Sequence, residues 1–146
     1  MLQYCCVSGE YKRIERRIAE YIASRYRSPA EVGIGDNPVT ARLLAKSGLD
    51  VLATDIRVPT EPPGVRFVPD DLFTPDRSLY RGRDLLYSIR PGEEMMAPLI
   101  ALARSTGCDL LVYHLGFEGY GDSGELIDCG VVLHLYRHRA NQKRVD

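Results

Sequence analysis

The sequence predicts an α/β domain, a doubly wound and mainly parallel sheet of about six strands with helices on both faces. Three observations carry that prediction. Strand-like apolar runs alternate with helix-period patterns from about residue 10 to residue 115, the order expected of βαβ units around a parallel sheet. A glycine turn, Gly33-Ile34-Gly35, joins the first strand to a helix that begins after Asn37. A second strand then ends in Asp55, 22 residues after Gly33. Nucleotide-binding βαβ units place a carboxylate for the ribose hydroxyls at that spacing.

Length and composition set the bounds. A chain of 146 residues is expected to form one domain, spanning 1–146, with a proper core. Hydrophobic content of 45% and charged content of 27% suit a soluble globular protein. The net charge of −1 gives no global pull toward nucleic acid or membrane. No apolar run approaches the roughly 18 residues that span a bilayer, so no membrane partner is expected. The N-terminus lacks a basic-then-apolar signal, which predicts a cytoplasmic location. Cys5, Cys6, Cys108 and Cys129 form no CxxC pair and no zinc spacing with the three histidines, so reduced thiols and no metal site are expected.

The elements follow in order. Ile14, Ile18, Tyr21 and Ile22 mark one face of a helix over residues 10 to 27. Its other faces carry Lys12, Arg13, Arg16, Arg17, Arg25 and Arg27 interleaved with Glu10, Glu15 and Glu20. Interleaving of this kind marks a solvated face rather than a nucleic-acid surface. Ser28-Pro29 breaks the helix, and the first strand runs into the glycine turn. Asn37 is the expected N-cap, and Pro38 the first helical residue, where no N–H is needed. The helix from 38 to 47 buries Val39, Leu43 and Leu44, and Gly48 closes it in a left-handed cap. The second strand covers 49 to 55. Pro59, Pro62 and Pro63 then make a stiff irregular loop.

A short third strand, 65 to 68, leads into Pro69-Asp70-Asp71-Leu72-Phe73. Residues 84 to 89 are nearly all apolar, as a central parallel strand covered on both faces should be. That strand runs into Arg90-Pro91-Gly92-Glu93-Glu94. A helix is expected to begin at Pro91, with Glu93 and Glu94 in its first turn and Met95, Leu99, Leu102 and Ala103 on its buried stripe. Both methionines are read as core packing. Gly107 ends the helix, and 109 to 114 form a fifth strand. Gly116, Gly119, Gly121 and Gly124 define a loop suited to a lid. Leu126 to Tyr136 reads as a single last strand, followed by a basic terminus.

The acid-x-Gly-x-Gly pattern of Glu31, Gly33 and Gly35 resembles motif I of class I S-adenosylmethionine-dependent methyltransferases, whose fold is Rossmann-like. Asp55 and the Asp70-Asp71 pair follow in that family's order. The resemblance implies S-adenosylmethionine as cofactor. Glu31 would face its methionine end, the Gly33 and Gly35 backbone would lie against it, and Asp55 would hold the ribose. Asp71, with Asp70 as second choice, would contact adenine. Asn37 replaces a glycine common in the family. Pro38 stands where a dinucleotide fingerprint wants its third glycine, which weighs against NAD(P), the alternative cofactor that Asp55 and Arg57 would suit.

Tyr87-Ser88-Ile89-Arg90-Pro91 stands where these enzymes place the methyl acceptor, without the Asn/Asp-Pro-Pro-Tyr pattern of amino-group methylation. The same segment resembles a small uncharacterised archaeal family of this type. Ser88, Arg90 and His114 are the catalytic candidates. Arg90 either clamps an anionic substrate or pairs with Asp84, Glu93 or Asp70. His114 either acts as a general base or, as is commoner, caps its strand. The expected functions are a minimal methyltransferase, acting on a large substrate or completing its site by homodimerisation, and a non-catalytic cofactor module acting through a protein partner. A nicotinamide-binding domain is the third. A nucleic-acid role rests on the first helix and the tail.

Overall fold

The computed structural model describes residues 3–114 and 124–138, with side chains from residue 13 onward. The expected lid over residues 116 to 123 and the tail from 139 lie outside the described residues.

Among the described residues, seven strands form one sheet: β1 (Pro29–Val32), β2 (Leu52–Asp55), β3 (Arg66–Pro69), β4 (Leu85–Ile89), β5 (Asp109–Tyr113), β6 (Glu125–Asp128) and β7 (Val132–Tyr136). Their order is β3-β2-β1-β4-β5-β7-β6. The five strands from β3 to β5 run parallel, whereas β7 is antiparallel to β5 and to β6. Three α-helices of the described residues accompany the sheet: α1 (Gln3–Ala23), α2 (Val39–Lys46) and α3 (Met96–Thr106). The doubly wound, mainly parallel sheet is therefore as expected, with one strand more.

The extra strand corrects the expected single strand over 126 to 136. The chain turns at Cys129-Gly130, where Gly130 has φ +101° and donates its N–H to the Asp128 carboxylate at 3.1 Å. A side-chain-capped turn of this kind needs only one Asp and one Gly, too few to interrupt the apolar pattern around it. The result is a terminal antiparallel pair that the sequence did not reveal.

Side chains alternate across the sheet as the pleat requires. Ala53, Leu85, Tyr87, Leu111 and Leu133 pack with Ile18, Ile22, Ala41 and Leu44 of α1 and α2. Leu52, Leu86, Leu110 and Val112 pack on the other face with Met96, Leu99, Leu102 and Ala103 of α3. Helix α2 buries Thr40, Ala41 and Leu44, one position off the expected face of Val39, Leu43 and Leu44. It starts at Val39, so Pro38 occupies the cap rather than the first turn, and its carbonyl accepts the first helical bond from Arg42 N–H at 2.9 Å. Asn37 therefore lies one residue before the cap rather than being the cap that the sequence predicted, and its Oδ1 accepts the Val39 N–H at 3.3 Å. Gly48 and Gly107 close α2 and α3 with φ of +95° and +75°. After Pro91 the chain makes a single 3-10 turn, Glu93–Met95, before α3 begins. That offset places Met96 rather than Met95 in the core.

Strand order reverses between β1 and β4. In open α/β sheets the crevice beyond the carboxyl ends of the strands at such a point is the ligand site.

Candidate functional site

The chain ends β1 in the turn Gly33-Ile34-Gly35, with φ of +77° at Gly33 and +56° at Gly35. L side chains disfavour that conformation. At Gly33 there is a second reason for glycine: a Cβ would come within 3.1 Å of the Met95 methyl. The turn is closed by its own neighbours. The N–H groups of Gly33 and Ile34 both donate to the Thr54 carbonyl, at 2.9 and 3.1 Å, and Asn37 N–H donates to the Ile34 carbonyl. Gly35 N–H donates to Asp55 Oδ2 at 2.7 Å. Behind it, Asn37 Oδ1 accepts the Val39 N–H at the start of α2. Anion cradles for pyrophosphate need such amides free and convergent, and here they are committed.

Asp55 ends β2 and holds two amides, Gly35 N–H on one oxygen and Arg57 N–H on the other at 3.3 Å. Each carboxylate oxygen keeps a further lone pair for a ligand hydroxyl. After β3 the two neighbouring acids divide. Asp70 accepts the Tyr80 hydroxyl at 2.9 Å and the Asp76 N–H at 3.0 Å, one on each oxygen. Asp71 accepts the Phe73 N–H at 2.9 Å on one oxygen.

These groups meet around one cleft of about 260 Å³, lined by Gly33, Thr54, Asp55, Ile56, Asp70, Asp71, Leu72, Phe73, Ile89, Arg90, Pro91, Glu94 and Met95. Ile56 and Phe73, 64% and 59% exposed, supply an apolar rim. Of the predicted site residues, Gly33, Asp55, Asp70, Asp71 and Arg90 line the cleft, and Gly35 is tied to it through Asp55. Glu31, Ser88 and His114 do not. Ser88 is buried on β4 and its hydroxyl donates to the Val32 carbonyl at 2.9 Å. His114 lies edge-on to His134, ring centres 4.8 Å apart.

Glu31 lies beneath the turn, 2% exposed. Burial, aided by the charges of Glu15 and Asp55 and opposed by Tyr87, pushes its pKa up to about 8, so it is mainly protonated at neutral pH. Burial and the neighbouring Glu31 raise the Tyr87 hydroxyl as well. One oxygen of Glu31, one of Glu15 and the Tyr87 hydroxyl are buried without a hydrogen bond of normal geometry.

Glu15 was expected on the solvated face of the first helix. It is instead fully buried, at 0% exposure, because it sits on the same stripe as Ile18 and Ile22. Its carboxylate accepts Asn37 Nδ2 at 2.8 Å and pairs with the Arg90 guanidinium at 3.2 Å. None of the three partners expected for Arg90 is the one it takes in this ion pair. Asp84, one of them, instead accepts the backbone N–H groups of Arg27 and Ser28. Arg90 has φ +56°, an unusual strain for a non-glycine residue. It also lies over the Tyr113 ring, and its N–H donates to the Tyr113 carbonyl at 2.7 Å.

Sequence reasoning missed Glu15, Met95, Glu94, Ile56 and Phe73. Only Glu15 left a signal, its position three and seven residues before two core isoleucines. The cleft thus carries the carboxylates of Asp55, Asp70, Asp71 and Glu94 against one arginine already paired with Glu15. Its field favours a cationic ligand over a polyanionic one.

Among solved structures, the chain resembles a TehB-like SAM-dependent methyltransferase from Corynebacterium glutamicum. The TM-score is 0.59 at 18% identity, covering 93% of each chain. It also resembles an RNA methyltransferase from Salinibacter ruber in complex with S-adenosyl-L-homocysteine, with a TM-score of 0.54 at 12% identity, covering 87% of this chain and 90% of that one. At these identities the likeness is one of fold, a Rossmann-like methyltransferase fold. Sequence relatives are nearer and archaeal. A protein of Archaeoglobus fulgidus is 41% identical over 107 residues, 73% of this chain and 79% of its own. One of Halobacterium salinarum is 38% identical over 101 residues, 69% of this chain and 78% of its own. Both carry the family label whose sequence profile matches residues 15–123 here, and the chain belongs to that uncharacterised protein family, UPF0146.

Proposed function

We propose that the cleft binds S-adenosylmethionine and that the chain is a minimal methyltransferase. The single observation that carries this reading is the convergence of Gly33, Asp55 and Asp71 on one acidic cleft at the strand-order reversal. The residues present fit the cofactor. Asp55, prefixed by two amides, would hold the ribose hydroxyls. Asp71, with only one oxygen in a described hydrogen bond, would take the adenine amino group, while Asp70 buttresses the loop through Tyr80 and Asp76. Ile56 and Phe73 would cover the base. At about 260 Å³ the cleft is a little smaller than the roughly 300 to 1,000 Å³ of drug-sized pockets, so it would enclose the nucleoside end and leave the methionine end toward Arg90 and Glu94.

The cofactor supplies an already electrophilic methyl group, so alignment with a nucleophile carries much of the barrier. Arg90 is the catalytic candidate that lines the cleft, and its guanidinium is held by Glu15. It would position an acceptor rather than activate one. NAD(P) fits less well, because the turn amides that would receive a pyrophosphate are committed to Thr54 and Asp55 and the cleft is acidic.

Calorimetric titration with S-adenosylmethionine, S-adenosylhomocysteine and NADPH tests the proposal. Micromolar binding of the first two, weakened at least tenfold in Asp71→Asn with unchanged thermal stability, is the expected result. Binding of NADPH alone, or of none of the three, would overturn it.

A further inference from the structure

The burial of Glu15 changes the electrostatics of α1. With that carboxylate turned inward onto Arg90 and Asn37, the described outer surface of the helix is dominated by cations. Two grooves continue this surface. One of about 480 Å³ runs between α1 and α2, lined by Arg16, Glu20, Lys46, Leu43 and small residues. The other, of about 320 Å³, is lined by Arg25 and Arg27 and meets the first at Ala23, Ser24 and Ser47. Among the described residues Glu20 is the one acid lining either groove. Arg13 stands exposed further along the same helix. Arg25 is held over the Tyr21 ring at 4.2 Å. The cleft, by contrast, is lined by four carboxylates and one arginine, so a net charge of −1 conceals an uneven distribution of charge.

We infer that this α1–α2 groove binds the phosphate backbone of a single-stranded nucleic acid. Cations from two helices and the loop after α1 line one continuous channel, and since the hydroxyls of Ser24 and Ser47 at its junction are spent on the Tyr21 and Leu43 carbonyls, those cations carry the contact to phosphate oxygens. A groove between two packed helices, whose axes lie roughly 8–10 Å apart, admits one strand and not a duplex. From Arg13 to Ala23 the helix gives the strand about 15 Å of track. No exposed aromatic lines either groove, so the contact is to phosphates and is independent of base sequence.

The inference stands whether or not the cleft binds S-adenosylmethionine, and its test has a separate readout. Fluorescence anisotropy of a labelled, mixed-sequence 16-nucleotide RNA would be measured with the full chain and with the triple variant Arg13→Gln/Arg27→Gln/Lys46→Gln. These three side chains make no described contact that the fold needs, and circular dichroism checks that the variant is folded. The expected result is at least tenfold weaker binding by the variant at 100 mM salt. The slope of log affinity against log salt should also be shallower by about 2, from roughly 0.7 per lost phosphate contact. Asp71→Asn should bind the RNA as the parent does. Absence of binding by the parent at 50 mM salt would overturn the inference, as would equal binding by the triple variant. Displacement of the RNA by poly-glutamate at equal charge concentration would overturn the assignment to nucleic acid and point to an acidic protein.

Discussion

Glu31→Gln separates the charge of the buried acid from its shape. Glu31 has an ordinary pKa near 4.5 when solvated and one of about 8 in the fold, so between those values the folded chain holds a proton that the unfolded chain releases. Raising the pH therefore favours unfolding. The stability is complete below about pH 4.5, falls by about 1.4 kcal/mol per unit through the window, and levels off above pH 8. The loss is about 3 kcal/mol at pH 7, a large share of the 5–15 kcal/mol of an ordinary domain. Glutamine keeps the volume and cannot ionise. Urea unfolding followed by circular dichroism at pH 5, 6, 7 and 8 should show the variant gaining on the parent at each step. Any fixed cost of the amide, which must find partners beside Glu15 and Tyr87, shifts all points equally. A parent-to-variant difference that is flat from pH 5 to 8 would refute the buried, protonated state of Glu31.

Other substitutions probe the rest of the site. Arg90→Ala should destabilise the chain by about 3 kcal/mol, because it leaves the Glu15 carboxylate buried and unpaired; the double variant with Glu15→Gln should recover part of that loss in the same urea assay. Gly33→Ala forces an L residue to φ +77° and sets its Cβ against the Met95 methyl. It should cost about 1–2 kcal/mol and lower the thermal midpoint. Tyr80→Phe removes a hydroxyl that bonds both Thr54 and Asp70. A cost of about 1–2 kcal/mol is expected, with little change in ligand affinity by calorimetry, since Asp70 rather than Asp71 loses its support.

The sequence by itself determined the frame. Alternating apolar periods gave the parallel sheet, since each strand must bury both faces under helices. The paired glycines, with Asp55 at the end of the next strand, placed the crevice. The order of Asp70 and Asp71 after the third strand located the far wall. These features are local: each follows from the conformation of a few adjacent residues or from a fixed strand and helix length.

Tertiary structure decided the rest, because it concerned which distant side chains share a space. Glu15 looked like one of three solvent glutamates, and only the packing of α1, whose Ile18 and Ile22 share a core cluster with Leu85 and Tyr87 of β4, revealed that it pairs with Arg90. That single burial altered both the Arg90 side of the cleft and the charge of the helix surface. Asp70 and Asp71 are neighbours in sequence, ranked there only by resemblance, yet Tyr80, ten residues after Asp70, bonds one and not the other. Met95 and Met96 likewise part company, one to the cleft and one to the core, through a 3-10 turn that sequence periodicity does not mark. The hairpin at Gly130 escaped notice because its apolar flanks read through. Long-range burial and partner choice set charge state, and charge state is what chemistry at this cleft depends on.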